Sequence, residues 1–193
     1  MPSQPDLQPS AASPTLSDIP TLRERARRHL SEGALIENYG GDRATILRLL
    51  DEALATEIVC SLRYRRHYYT AKGLVSKGIA DEFMEHAVEE QSHADRFAER
   101  ITQLGGEPDF RPDTLVARSH AEYVEGNTLI EMIEEDLVAE RIAIDSYREI
   151  VEFIGASDPT TRRLFEEVLA VEEQHADELH TLIEQIGERG RGG

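Results

Sequence analysis

The sequence predicts an all-α protein: an antiparallel four-helix bundle with one long crossover between its second and third long helices and no fifth helix. Three observations predict it. Apolar residues recur at alternating spacings of three and four through four segments of about 28–31 residues. Gly and Pro gather at the chain ends and between those segments. The links run short, long, short, the connectivity of a bundle with a single crossover. At 1.5 Å per residue each helix would be roughly 40–45 Å long.

The chain of 193 residues divides into an N-terminal extension (1–41), the bundle (42–187) and a tail (188–193). Residues 1–20 are rich in Pro, Ser and Gln and read as a flexible tail. Residues 21–32 suit a short helix carrying Arg23, Arg25, Arg27 and Arg28. Such a basic arm on an acidic body can dock on a neighbouring subunit or touch phosphate. Gly40 and Gly41 close the extension.

The first long helix spans about 42–72, with Asp42 as N-cap and Gly73 past its end. The second spans about 76–104 and stops at Gly105-Gly106. Residues 105–126 form the crossover, with Pro108, Pro112 and a short helix near 113–120. The third spans about 127–154, capped by Asn127 and ended by Gly155. The fourth spans about 159–186, with Asp158 as N-cap, Pro159 at the first helical position and Gly187 as its stop.

Each helix carries a buried stripe. They are Ile46, Leu49, Ala53, Glu57, Cys60, Tyr64 and His67; Phe83, His86, Glu90, His93, Phe97 and Leu104; Ile130, Ile133, Leu137, Glu140, Ile144, Tyr147, Val151 and Ile154; and Leu164, Val168, Glu172, His175, Leu179, Leu182 and Ile186. Every apolar stripe is interrupted by Glu, and two also by His three residues later, which puts both on one helix face. Glu57, Glu90, Glu140 and Glu172 each lie about 13–15 residues into their helix, so they meet at one level.

Four buried carboxylates without partners would cost several kcal/mol each. Two divalent cations balance them. Metal ligands Glu57, Glu90, His93, Glu140, Glu172 and His175, oxygen-rich with one His per metal, suit iron or manganese better than zinc.

The net charge of −17 disfavours nucleic acid and favours cations. The single Cys60 excludes an intramolecular disulfide framework or a Cys-rich zinc site and fits a reducing cytoplasm. No apolar run approaches the roughly 18 residues of a membrane span. The N-terminus lacks the basic-then-apolar order of a signal peptide.

With these residues in place, the segment from Asp42 to Ile186 resembles the bacterioferritins of the ferritin-like superfamily, whose di-metal carboxylate site is the known arrangement of this kind. The resemblance implies a ferroxidase in which those six ligands bind two Fe ions per subunit, with Mn as an alternative, and oxidise Fe²⁺ with O₂ or H₂O₂ for iron storage or detoxification. It implies Tyr64 as a tyrosine beside the di-iron site and Asp136 as an acid orienting a ligand His. Glu85 and Glu89 match cavity-facing, iron-binding positions, with an ordinary solvated acidic face as the alternative. His86 reads as a neighbour of the ligands or a satisfied core histidine, Cys60 as core packing, and Arg63, Arg65 and Arg66 as surface or intersubunit cations.

Two departures matter. The haem-binding Met that follows the Glu of the second-helix motif is Gln91 here, which leaves open a haem or porphyrin site at Met84. The pore-lining fifth helix is missing, which points to the Dps-like bacterioferritin branch and a homo-oligomeric shell of 12 subunits, or 24. The rival readings are a non-storage di-iron or di-manganese peroxidase or oxidase, and a DNA-binding stress protein using residues 21–32.

Overall fold

A computed structural model describes residues 16–28, 30, 33, 35, 39–71 and 77–191. The chain divides into two units at residues 37/38. The described residues hold six helices and no strand.

In the first unit, α1 spans Ile19–Arg28. Asp18 caps it by accepting from the Thr21 backbone N–H at 2.8 Å. None of its residues is buried, and Arg28 pairs with Glu24 one turn back at 2.8 Å. The helix thus starts two residues before the expected segment and stops at its fourth Arg.

In the second unit, α2 spans Arg43–Ala71, α3 Lys77–Gln103, α4 Leu115–Arg118, α5 Leu129–Ile154 and α6 Pro159–Arg191. The expected stop at Gly73 lies outside the described residues. Asp42 caps α2, accepting from the Thr45 N–H and hydroxyl. Asp158 caps α6 by accepting from Thr161 N at 3.0 Å, and also receives both Arg100 on α3 and the Tyr39 hydroxyl.

Two boundaries differ from the sequence expectation. Thr128, not Asn127, caps α5: its hydroxyl accepts from Glu131 N while the Glu131 carboxylate accepts from Thr128 N, a capping box. The helix α6 continues through Gly187 to Arg191 instead of stopping. Gly187 is not among the left-handed glycines, and one glycine within a helix costs only about 1 kcal/mol. Gly155, with φ at 52°, does end α5 as expected.

Within this unit α2 packs on α3 and α5 on α6, and the α2–α5 and α3–α6 contacts close the bundle. Contacts such as Arg43 with Leu104 and Ser61 with Ala87 run α2 and α3 in opposite directions. Tyr64 with Glu140, and Glu57 with Tyr147, oppose α2 and α5. Hence α3 and α5 run the same way, and the segment between them must climb back along the bundle. It climbs beside α2: Arg118 pairs with Asp51, His120 N donates to Thr56, and Arg63 donates to the Glu122 carbonyl.

The core has two apolar ends around a polar middle. Phe83, Ala87, Met132, Ile133, Leu137 and Leu179 fill one end. Phe97 and Phe165 pack against Tyr147 at the other. Between them four buried carboxylates and two buried imidazoles from four helices converge, and these form the site.

Candidate metal centre

Glu57 comes from α2, Glu90 and His93 from α3, Glu140 from α5, and Glu172 and His175 from α6. All six are at most 4 % exposed. Their donor atoms form two overlapping groups, each within 4.8 Å: Glu57, Glu90, His93 and Glu172, and Glu90, Glu140, Glu172 and His175. Glu90 and Glu172 belong to both. The shared carboxylates are therefore the ones within the Glu-x-x-His pairs, and Glu57 and Glu140 each serve one position.

Both imidazoles turn Nδ1 inward. His93 Nδ1 lies 3.3 Å from Glu57 and 2.9 Å from Glu172. His175 Nδ1 lies 3.3 Å from Glu90, 3.5 Å from Glu172 and 3.9 Å from Glu140. Glu90 Oε1, both Glu172 oxygens and His175 Nδ1 are buried without a hydrogen-bond partner. Orphaned buried polar atoms are rare, and four converging on one point need a ligand to satisfy them. The donor set of four carboxylates and two imidazoles fits two divalent cations in charge and in chemistry.

The electrostatics agree. Burial, then the neighbouring Glu90, pushes Glu57 up to about 8. Burial, Glu90 and Glu172 hold Glu140 well above the usual carboxylate range. Burial also pushes Glu90 and Glu172 upward, but the close approach of the two imidazoles and the neighbouring carboxyls outweighs it and leaves both below their ordinary value. Burial opposes charge on His93 and His175, yet Glu172, Glu57 and Glu90 around His93, and Glu172 and Glu90 beside His175, hold both up at about 12. Glu57 and Glu140 are thus the carboxyls that hold a proton more tightly than usual, Glu90 and Glu172 those that release it more readily, and both imidazoles favour their charged form.

Two tyrosines brace the unshared carboxylates. The Tyr64 hydroxyl donates to Glu140 and the Tyr147 hydroxyl to Glu57. Burial, then that carboxylate, raises each phenol well above its ordinary value. Tyr64 was singled out in the sequence; Tyr147 was placed only in the buried stripe. A repeat could have revealed it, because each tyrosine is the seventh residue after the unshared Glu of its own helix.

Other expected residues fall as follows. Asp136 does not orient a ligand His. It stands level with the second half of α2 and accepts from Arg63 at 2.8 Å, with His67 Nδ1 also at 2.8 Å. Arg63 is accordingly no surface cation: it is 1 % exposed and also holds the Glu122 carbonyl. Arg66, as expected of a surface cation, pairs with the exposed Glu125. Cys60 packs with Ala121 and Ala139. Met84 packs at the edge of the apolar cluster around Phe83, and Gln91 donates to Asp95.

Glu85 is exposed, but Glu89 is more than a solvated acid: it meets His175 Nε2 at 2.7 Å. His86 is buried, stacks on His175 with ring centres 4.0 Å apart, and meets Glu178 at 3.0 Å. Burial, then His175, lowers its basicity. Glu178, unnoticed in the sequence, lies one turn beyond His175, the spacing that brings it to His86.

Comparison with known proteins agrees with this architecture. Residues 47–188 match the ferritin-like domain family. The bacterioferritin of Streptomyces coelicolor is 32 % identical over 150 residues, covering 74 % of this chain and 84 % of that one. Among solved structures, the dodecameric thioferritin, a bacterioferritin-related protein of Bacteroides fragilis, superposes with a TM-score of 0.75 at 27 % identity, covering 79 % of this chain and 92 % of that one. The Desulfovibrio desulfuricans bacterioferritin, described with its diiron site in different catalytic states, gives 0.68 at 26 % identity over 76 % and 82 %.

Proposed function

The chain belongs to the ferritin-like family, and from that premise we propose that it is a ferroxidase, with two Fe²⁺ ions as substrate at the six-residue centre. The observation that carries this reading is the convergence of four carboxylates and two imidazoles with four buried, unpartnered donor atoms. Each Fe²⁺ gives up one electron. Two electrons and two protons convert O₂ to H₂O₂, or H₂O₂ to water.

The protein's part is binding, orientation and proton release. Glu90 and Glu172 span both positions, Glu57 with His93 completes one, and Glu140 with His175 completes the other. Divalent ions compete with the protons on Glu57, Glu140 and the two imidazoles, so their entry releases protons from the centre. Reduction of O₂ to H₂O₂, or of H₂O₂ to water, takes up two protons for the two electrons that the Fe²⁺ ions supply. The Tyr64 and Tyr147 hydroxyls hold the unshared carboxylates in place, and Tyr64 is a one-electron donor within reach of the second position. Met84 remains the only proposed porphyrin contact, at the apolar end of the bundle.

The shell reading follows the thioferritin neighbour: we expect a homo-oligomer of 12 subunits that stores the oxidised iron. Replacing Glu57 and Glu140 together with Ala should slow Fe²⁺ oxidation at least about a hundredfold while the circular dichroism stays helical. Stopped-flow rates equal to wild type would refute the assignment. A native mass of one or two chains, with no more than two irons each, would favour the non-storage oxidase instead.

A further inference from the structure

Three groups of donor atoms among the described residues have metal-binding geometry; two make up the centre above. The third is Glu82, His86 and Glu178, again with donors within 4.8 Å of one another. It joins α3 to α6 one turn from the second metal position. His86 is 2 % exposed, and its Nδ1 is buried with no hydrogen-bond partner. Its Nε2 meets Glu178 at 3.0 Å.

A buried imidazole between two carboxylates is not explained by the six-residue centre, which it touches only through the face of His175. Nor is it an ordinary core histidine, because half its hydrogen-bonding capacity is unmet where an unmet polar atom costs about 1–3 kcal/mol. The accompanying carboxylates also differ from those of the centre. Glu178 is 34 % exposed and Glu82 is partly exposed, so this cluster opens to solvent where the centre is closed.

We propose that Glu82, His86 and Glu178 form a third divalent-cation site that takes up Fe²⁺ from solvent and delivers it to the position held by His175 and Glu140. Two carboxylates and one neutral imidazole cancel the charge of one divalent ion, and an O,O,N set suits Fe²⁺, Co²⁺, Mn²⁺ or Zn²⁺. Bonds of about 2.0–2.2 Å require donors somewhat closer together than 4.8 Å, a closure that the partly exposed glutamates permit. Glu89, on the His175 Nε2 at 2.7 Å, lines the step between the two sites. The delivery role rests on the ferroxidase reading of the centre; the cation site itself does not.

The test uses full-length protein crystallised with Co²⁺ and measured at the cobalt edge. Wild type should show an anomalous peak within bonding distance of His86, besides the two of the centre. Glu82→Gln/Glu178→Gln should lose that peak and keep the other two. Glu57→Ala/Glu140→Ala should keep the His86 peak while the centre empties, so the site survives even where the ferroxidase reading fails. Absence of the His86 peak in wild type at millimolar Co²⁺, or its persistence in Glu82→Gln/Glu178→Gln, overturns the site. In stopped flow, Glu82→Gln/Glu178→Gln should oxidise Fe²⁺ several-fold more slowly than wild type over repeated turnovers, although Co²⁺ still fills both positions of its centre. Equal multi-turnover rates overturn the delivery role.

Discussion

The two halves of the metal centre are built alike and surrounded differently. In each, a helix supplies one unshared Glu with a tyrosine seven residues on, and its hairpin partner supplies a Glu-x-x-His. The tyrosines cross over: Tyr147 of α5 holds Glu57 of α2, and Tyr64 of α2 holds Glu140 of α5. Beyond the ligands the likeness ends. Tyr147 is packed among Phe97 and Phe165. Tyr64 packs on Phe83 but also faces the His86 ring edge-on at 5.2 Å, and that ring stacks on His175. His175 also meets Glu89, a half-exposed carboxylate. One position is backed by aromatic carbon, and the other by an imidazole with the partly exposed Glu89 and Glu178 beyond it. The ligand types are therefore common to both halves, while the polarity of their surroundings is not.

The largest effect should separate shared from unshared carboxylates. Glu90→Ala or Glu172→Ala strikes both positions and should eliminate paired metal binding, lowering oxidation by more than about a thousandfold. Glu57→Ala or Glu140→Ala alone should leave one Co²⁺ per chain at the centre and cost about a hundredfold. Equal Co²⁺ stoichiometry in all four variants would break the assignment of shared ligands.

A smaller effect should compare the braces. Tyr64→Phe and Tyr147→Phe each free one unshared carboxylate and should slow oxidation by about tenfold. If Tyr64 also supplies an electron, only its loss will remove a transient tyrosyl radical signal in rapid-freeze spectra. A radical that survives Tyr64→Phe denies it that role.

The smallest effect concerns metal-free stability. Glu57 holds its proton up to about 8 in the folded chain, above the ordinary carboxylate value of 4.5. Its protonated form stabilises fully below about 4.5, and that contribution is lost as the pH rises through 8. Glu140 shifts in the same direction. His93 and His175, raised to about 12 from 6.5, have the same sign over the higher window. Metal-free protein should therefore melt lower as pH rises from 5.5 to 8.5, by at least several °C, since about 1 kcal/mol moves Tm roughly 2–4 °C in a chain of this size. Glu57→Gln and Glu140→Gln should each flatten the slope. A Tm that rises over this range contradicts the direction of these shifts.

The long elements and the ligand positions were legible in the sequence because both follow from helical period. Glu57, Glu90, Glu140 and Glu172 interrupt apolar stripes at matched depths, and every one is buried. Asp42 and Asp158 announce their caps through local chemistry alone. What escaped is decided between helices. Asp136 sits one turn from Glu140, but the antiparallel alignment of α2 and α5 sets it against Arg63 and His67. Arg63, beside Arg65 and Arg66 in a basic run, is buried because that same carboxylate neutralises it. Sharing of Glu90 and Glu172 depends on how α3 and α6 face each other, which no single stripe encodes. Thr128 caps α5 in place of Asn127 because Glu131 stands three residues after it, a signal present in the sequence.

The segment that climbs from α4 to α5 is tied to α2 in order. Arg118 meets Asp51, His120 meets Thr56, Glu122 meets Arg63, and Glu125 meets Arg66 and His67. Residue 118 ends α4, the chain bends at 120 and 121, and from there to 125 it holds no helix or strand, yet its eight residues follow α2 from 51 to 67, about 24 Å of helix. The ties to α2, rather than a hydrogen-bonded ladder of its own, hold its course. An added or deleted residue between them would slide every later tie past its partner. Evolutionary length variation is accordingly expected before Leu115 or in the turn at Gly126, and amide exchange between 120 and 125 should report on opening of α2 instead of on a loose loop.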